Sequence, residues 1–426
     1  MLRIDYIKYV FVLTLVLLVG MGFVLHNGEE KTEEETSEQQ YHTVGCGDHD
    51  EETVWGFYGH RKINRMAVFT LPIEMIPFFK SNIEFITEHA VDPDKRRYAI
   101  KEEAIRHYID IDHWGKEGVK DVPREFSQAF WKYARCYVIN GADTVSYDSL
   151  FYAEHIHNSP QLNRLYDEVI EQKRYDEEVS LDKKELSLIA PMKIVELENA
   201  DKLIIEDVFS GYGILPYFLP DYYRRLVGAF KKRDQKRILR FAAEIGHYIG
   251  DAHVPLHTTE NYNGQLTNQL GIHAFWESRI PELFADETYD FFVGDAEYIG
   301  DVDSYIWKVV NDSHALLDSV LSIEKRLTLT VPEDRQFCFD ERLEKTIRTQ
   351  CPEFAELYQR EMGGMVEDRM RASVQSLGSV WMSAWIDAGR PDISVIGIEE
   401  WTEKDKKKSE ELDASFRRGA IYGREH

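Results

Sequence analysis

Residues 220–257 read PDYYRRLVGAFKKRDQKRILRFAAEIGHYIGDAHVPLH. Apolar residues recur here at intervals of three and four, the spacing of a helix with one buried face. The same period runs through IEMIPFFKSNIEFITEHA (73–90), EFSQAFWKYARCYVI (125–139) and RMRASVQSLGSVWMSAWIDAG (369–389). No stretch alternates apolar and polar residues for long enough to compete, and KLIIEDVF (202–209) is open to helix or loop. The spacing predicts an all-α chain, a multi-helix bundle forming one main domain.

The end of the opening stretch carries chemistry. Residues four apart on a helix share a face, so His247 and Asp251 present an imidazole and a carboxylate side by side. Pro255 should end or kink that helix, which lets His257 turn back toward the pair. GIHAFWESRIPELF (271–284) repeats the device with His273 and Glu277. One such pair alone is usually a core histidine or a surface ion pair. Two pairs and a linking histidine are how a helical bundle gathers a metal cluster in its core. Nitrogen and oxygen donors without thiolate suit zinc, with manganese or iron as alternatives. A di-iron carboxylate site would want Glu-x-x-His pairs, whereas these run His-x-x-x-acid. EHAVDPDKRRYAIKEEAIRHYIDIDHWG (88–115) adds Asp92, Asp94, His107, Asp110, Asp112 and His113, and WGFYGH adds Trp55 and His60.

Composition narrows the function classes. The 426 residues are 43% hydrophobic and 12% aromatic, which fits a globular chain with a sizeable core. A formal charge of −25 argues against a long nucleic-acid groove, although a local metal charge would still admit a small phosphate ester. Cys46, Cys136, Cys338 and Cys351 form no CxxC pattern, and Cys338 with Cys351 would close a short disulfide in an oxidising compartment.

At the start of the sequence, Arg3 and Lys8 precede an apolar run from Tyr9 to Leu25. That reads as a signal anchor or signal peptide over 1–26, placing the rest outside the cytoplasm, anchored to a membrane or secreted. Residues 27–54 are an acidic tether. The main domain is expected over 55–395, with a charged segment at about 158–205 inserted between core helices. Residues 396–426 read as a charged tail with little core signal.

With these residues in view, the chain resembles the zinc-dependent phospholipase C and single-strand-specific nuclease superfamily. HYIGDAHVPLH (247–257) is similar to its core signature, His-x-x-x-Asp followed by Pro-x-His. His273 with Glu277 is similar to its later pair, HYID (107–110) to its first histidine motif, and Trp55 with His60 to its mature amino terminus. SVWMSAWIDAG (379–389) resembles its closing helix. The resemblance implies an all-helical fold and up to three zinc ions. One would be held by Asp94, His107, His247 and Asp251, a second by His257, His273 and Glu277. The third would take His60, Asp251 and the backbone of Trp55. Asp92 competes with Asp94 for the first position. His113 and His253 read as supporting or structural residues.

One departure matters. The family's tryptophan ligates through a free terminal amine, whereas Trp55 is internal, so its nitrogen is an amide unless the chain is cut after Val54.

The implied activity is hydrolysis of a phosphate ester by a metal-activated water. Asp110, or the unligated oxygen of Asp94, would orient that water, and Arg97 would contact the phosphate. The HY of HYIGD, Glu277 and the short interval from His257 to His273 point to a phospholipid head group as substrate. HYID and Arg97 point instead to single-stranded nucleic acid or a nucleotide. A metal-binding scaffold without catalysis is the reading from another class, and no protein partner is implied.

Overall fold

The structure is a computed structural model, which describes residues 56–115, 120, 122–153, 159–173, 176, 178–342, 345–394, 402–419 and 421–424. Contacts divide the chain after Gly45, and every described residue belongs to the part Cys46–His426. The apolar run, the acidic tether and Trp55 lie outside the described residues. Among the described residues no helix is long and apolar enough to cross a membrane.

The chain is mostly helical, and the elements that position the site come early and in the middle of the sequence. Helix α1 spans Phe57–Ala67, α2 Ile83–Glu88 and α3 Asp92–Arg96. The helical period over 73–90 is carried by two helices, Ile76–Ser81 and α2, with a break at Asn82. Residues 220–253 fall in two helices, not one. Helix α4 covers Leu215–Lys232, Arg233 takes a left-handed φ of 52°, and Asp234 caps α5, Gln235–Ala252, by accepting a hydrogen bond from the Arg237 backbone N–H at 3.1 Å. Asp is a strong N-cap because its carboxylate satisfies an end N–H that the helix cannot.

Every residue of α5 from Ala242 to Ala252 is buried, which makes it the central helix of the bundle. Helix α6, Val302–His314, packs on α4, while α7, Met365–Asp387, packs on α1, α4 and α5. The indole of Trp381 on α7 donates to the Ala242 carbonyl at 3.0 Å. Small residues decide how closely α1 lies on α5. A Cβ on Gly246 would fall 1.9 Å from Asn64 Oδ1, and one on Gly250 2.9 Å from His60 Nδ1. Only glycine at these two positions lets α1 bring His60 down onto the helix that carries His247 and Asp251.

The fold is not wholly helical, and three expectations need correction. The helical pattern over 125–139 holds only to Tyr133; Arg135–Asn140 is strand β1. With β2 (Asp143–Asp148), β3 (Glu178–Asp182) and β4 (Lys202–Glu206) it forms an antiparallel sheet in the order β2-β1-β4-β3. KLIIE is therefore strand, with Leu203 opposite Val138 and Leu181, and Ile205 opposite Cys136 and Val179. These inward residues build a second core with Trp131, Phe151, Leu162 and Leu165. The charged segment at 158–205 is part of this small α+β unit, which begins near Phe126.

A hairpin, β5 (Phe337–Arg342) and β6 (Lys345–Gln350), is tied by the Cys338–Cys351 disulfide, Cα–Cα 4.9 Å, at the entry to the helix Pro352–Glu361. The charged tail also departs from expectation. It contains helix α8, Glu403–Arg417, whose Phe416 is fully buried against Phe57, Val91 and Tyr98.

Candidate metal centre

Six backbone segments converge on one buried cavity. His60 comes from α1, Asp94 from α3, His107 from the turn after Lys101–Arg106, and His247 with Asp251 from α5. Helix α5 ends at Ala252, and Pro255 opens the 3-10 turn Pro255–Thr258 that presents His257. His273 sits in a short helical turn, Ile272–Ala274, that widens into a π-helical turn, Phe275–Arg279, carrying Glu277. Such one-turn widenings redirect a side chain without ending a helix.

The donors form three groups, each able to hold a metal ion: His60, His247 and Asp251; Asp94, His107 and His247; His257, His273 and Glu277. Asp251 joins them. Its Oδ2 lies 3.0 Å from His107 Nδ1 and 3.4 Å from His247 Nε2, and its Oδ1 lies 3.5 Å from His60 Nε2 and 4.0 Å from His257 Nε2. Glu277 Oε2 is 2.7 Å from His273 Nε2 and 3.3 Å from His257 Nε2, while its Oε1 reaches His60 Nε2 at 3.4 Å. Asp94 Oδ1 is 3.5 Å from His247 Nε2 and 3.7 Å from His107 Nδ1. Asp92 instead faces His89 Nδ1 at 2.7 Å, so of the two aspartates Asp94 is the one among the imidazoles.

Supporting bonds fix the ring orientations. His247 Nδ1 donates to the Ala90 carbonyl at 3.0 Å and His257 Nδ1 to the His107 carbonyl at 2.6 Å, so each ring turns its bare Nε2 into the cavity. His247 Nε2 and His107 Nδ1 stand 3.1 Å apart, as do His257 Nε2 and His273 Nε2 at 3.2 Å. In each pair the two ring nitrogens are close enough to ligate one ion together.

The electrostatics agree with this donor set. Burial, then the neighbouring His247, holds His107 well below the ordinary histidine range, and burial also lowers His247 and His273. Each shift favours the neutral imidazole, the form that binds metal. Burial, Glu277 and Asp94 push Asp251 well above the carboxylate range, because three carboxylates share one cavity. A divalent cation would relieve that repulsion. Burial works to raise Asp94 and Glu277 too, but the surrounding histidines, joined at Asp94 by Arg97, outweigh it and hold both well below the usual range.

Behind the cavity lies a buried ionic network that the sequence reading missed. Arg96 bonds Glu244 at 2.8 Å and Glu103 at 3.2 Å, Arg240 reaches Glu244 at 2.7 Å and Arg106 reaches Glu103 at 2.6 Å. The hydroxyls of Tyr222 and Tyr248 donate to Glu244 and Glu103. The network pins α3, which carries Asp94, to α5, which carries His247 and Asp251. Local spacing signals only its Arg240–Glu244 and Arg106–Glu103 pairs, since the bonds from Arg96 that join them span up to 152 residues.

The remaining candidates sit around the rim or elsewhere. Arg97 is buried, with Nη1 3.4 Å from Asp94. Asp110 is buried and is bonded by Arg424, from the end of the described chain; burial raises its carboxyl to about 6 although Arg424 opposes the rise. His113 stacks on Tyr212 with ring centroids 3.5 Å apart and pairs with Glu260 at 3.1 Å. Asp112 accepts from Thr259 at 2.6 Å. His253 faces away, toward Ser376 Oγ on α7 at 2.9 Å. Gly56, the first described residue of this region, lines the cavity beside Glu277.

Comparisons with protein-family models, with curated proteins and with solved structures find no match.

Proposed function

We propose that the chain is a zinc-dependent phosphoric ester hydrolase of the phospholipase C-like kind. The observation that carries this reading is the position of Asp251, a single carboxylate within reach of His60, His107, His247 and His257 at once. One carboxylate between neighbouring donor groups would hold ions close together, the arrangement that serves in-line displacement at phosphorus. Imidazole and carboxylate donors without thiolate fit zinc, and neutral, pre-oriented rings fit it without rearrangement. When bound, the ions would supply an acidified water and charge to offset the phosphoryl oxygens.

The protein's own groups would do the rest. Asp94, Asp251 and Glu277 would bring negative charge to the ions, and the Ala90 and His107 carbonyls hold the His247 and His257 rings toward them. Arg97, beside Asp94, offers a guanidinium to a phosphoryl oxygen. That feature also supports a second reading, a nuclease or nucleotidase acting on the same bond type. The family resemblance of HYIGDAHVPLH and its companion motifs supports both. The Cys338–Cys351 disulfide fits an exported protein, and the apolar run before the tether fits either a membrane anchor or a cleaved signal. A third ion at His60 would gain the amine of Trp55 only after cleavage at Val54, which amino-terminal sequencing of the exported protein would detect.

Elemental analysis of the purified protein should return zinc rather than iron or manganese. Phosphatidylcholine should be hydrolysed, and a chelator should abolish the activity. Turnover of single-stranded DNA alone would select the nuclease reading. Stoichiometric zinc with neither substrate consumed would leave a metal-binding scaffold.

A further inference from the structure

The segment after α8 does not trail into solvent. Helix α8 is clamped onto the elements that hold the metal centre, through Phe416 on Phe57 and Tyr98, through Lys95–Asp413 at 2.9 Å and through Lys236–Asp405 at 3.1 Å. From there the chain turns back over Arg97. The Tyr422 backbone N–H donates to the Arg97 carbonyl at 2.8 Å, and the Arg97 guanidinium donates to the Arg424 carbonyl.

Between these two contacts lies Gly423, at φ 88°, where a Cβ would fall 2.4 Å from the Cβ of Ala104. Any other residue would be both strained and overpacked there. The Arg424 side chain then enters a pocket at the edge of the centre. It bonds Asp110, reaches the Thr259 carbonyl at 3.4 Å, and lies over the rings of Tyr108 at 3.7 Å and Tyr262 at 4.7 Å. Tyr262 in turn packs edge-on against His273. A carboxylate with two aromatic faces is a strong site for a guanidinium.

The segment thus occupies two of the groups the functional reading assigns to substrate handling, Arg97 and Asp110. We infer that residues 421–424 are an intramolecular inhibitor, seated over the approach to the metal centre and displaced before a phosphate ester can engage Arg97. The inference rests on the reading of the centre as a phosphate-handling site. A site filled from within binds an external ligand more weakly in proportion to the time it is filled, so a segment seated most of the time costs about tenfold in apparent affinity.

Two full-length variants test this without touching a metal donor. Gly423→Ala unseats the backbone and Arg424→Ala empties the pocket. Inorganic phosphate titrated by calorimetry into the zinc-loaded proteins should bind about tenfold more tightly to both variants than to the parent chain. A synthetic peptide of residues 418–426 added in trans should return them toward the parent value. With a soluble phosphodiester, both variants should show a lower KM and an unchanged kcat.

Equal phosphate affinity in all three proteins, with no competition by the peptide, would overturn the inference. So would weaker phosphate binding in Arg424→Ala, since that would make the arginine a ligand-binding group. If phosphate affinity rises in the variants but no ester is turned over by any of them, the hydrolase reading fails and the occlusion stands.

Discussion

His247 is oriented by Ala90. The Ala90 carbonyl accepts the Nδ1 proton at 3.0 Å and thereby leaves Nε2 as a lone pair facing His107, Asp94 and Asp251. This one bond ties the 3-10 turn His89–Val91 to the C-terminal half of α5, and it sets the tautomer that a metal ion needs before any ion arrives. The donors are held by folding, so their removal should be read first in metal content and only then in turnover.

Asp251→Asn is the sharpest case. The amide keeps the shape but gives up the charge that His60, His107, His247 and His257 surround. Metal at the two groups that contain His247 should be lost, while His257, His273 and Glu277 retain theirs. Turnover should fall by more than the roughly 10–100-fold that loss of a supporting partner costs. Elemental analysis beside activity checks both. Full metal content in the variant would remove Asp251 from the centre.

Asp92→Asn and Asp94→Asn should part company. Asp94 lies among the donors of the centre, whereas Asp92 makes a part-buried contact with His89 at 2.7 Å, outside the three donor groups. Asp94→Asn is expected to lower metal affinity and activity together, and Asp92→Asn to leave metal affinity unchanged, since Asp92 belongs to none of the donor groups. Equal effects in a zinc competition titration would contradict the geometry.

The two aspartates show what the sequence could and could not disclose. Spacing on a helix placed His247 beside Asp251 and His273 beside Glu277, since that relation is local. Choosing between Asp92 and Asp94 needed the turn of a five-residue helix, which no spacing rule supplies. The sheet escaped for a different reason. In RCYVIN both faces carry apolar side chains, Cys136 and Val138 inward and Tyr137 and Ile139 outward, so the two-residue alternation is masked. The docking of the last segment left no signal either, because Tyr422, Gly423 and Arg424 acquire meaning only against Arg97, Ala104 and Asp110.

Gly246 and Gly250 should fail in different ways when replaced by alanine. The Cβ at 246 would strike Asn64, whose amide is fixed by bonds to the Ile86 and Ala243 carbonyls at 3.0 and 2.9 Å. Overpacking of that kind costs about 1–3 kcal/mol, so Gly246→Ala should lower the unfolding midpoint. At 250 the neighbour is the His60 ring at 2.9 Å, which would shift away from Asp251 and Glu277. Gly250→Ala should keep more of its stability and lose metal at the His60 group. Thermal unfolding and metal content, measured on both variants, would reject the assignment if the two behaved alike.

Acid should act on the protein through Glu244. Burial alone would raise its carboxyl, but the charges of Arg96 and Arg240 and the bonds from Arg96 and Tyr222 outweigh burial and bring it to about 2, against an ordinary 4.5. Between those values the folded chain carries fewer protons at this group than the unfolded chain. Its contribution is complete above 4.5 and drains away as pH falls toward 2, an interval worth roughly 3 kcal/mol. Glu244→Gln should therefore be less stable than the parent near neutrality, where Arg96 keeps Glu103 and the Tyr248 hydroxyl, and the gap should close as pH falls through this window. Urea unfolding of both metal-free proteins across the window measures that gap directly, since the other acids are common to both chains and cancel. Parallel curves would show that Glu244 carries no proton linkage, and the network binding α3 to α5 would then owe its strength to packing alone.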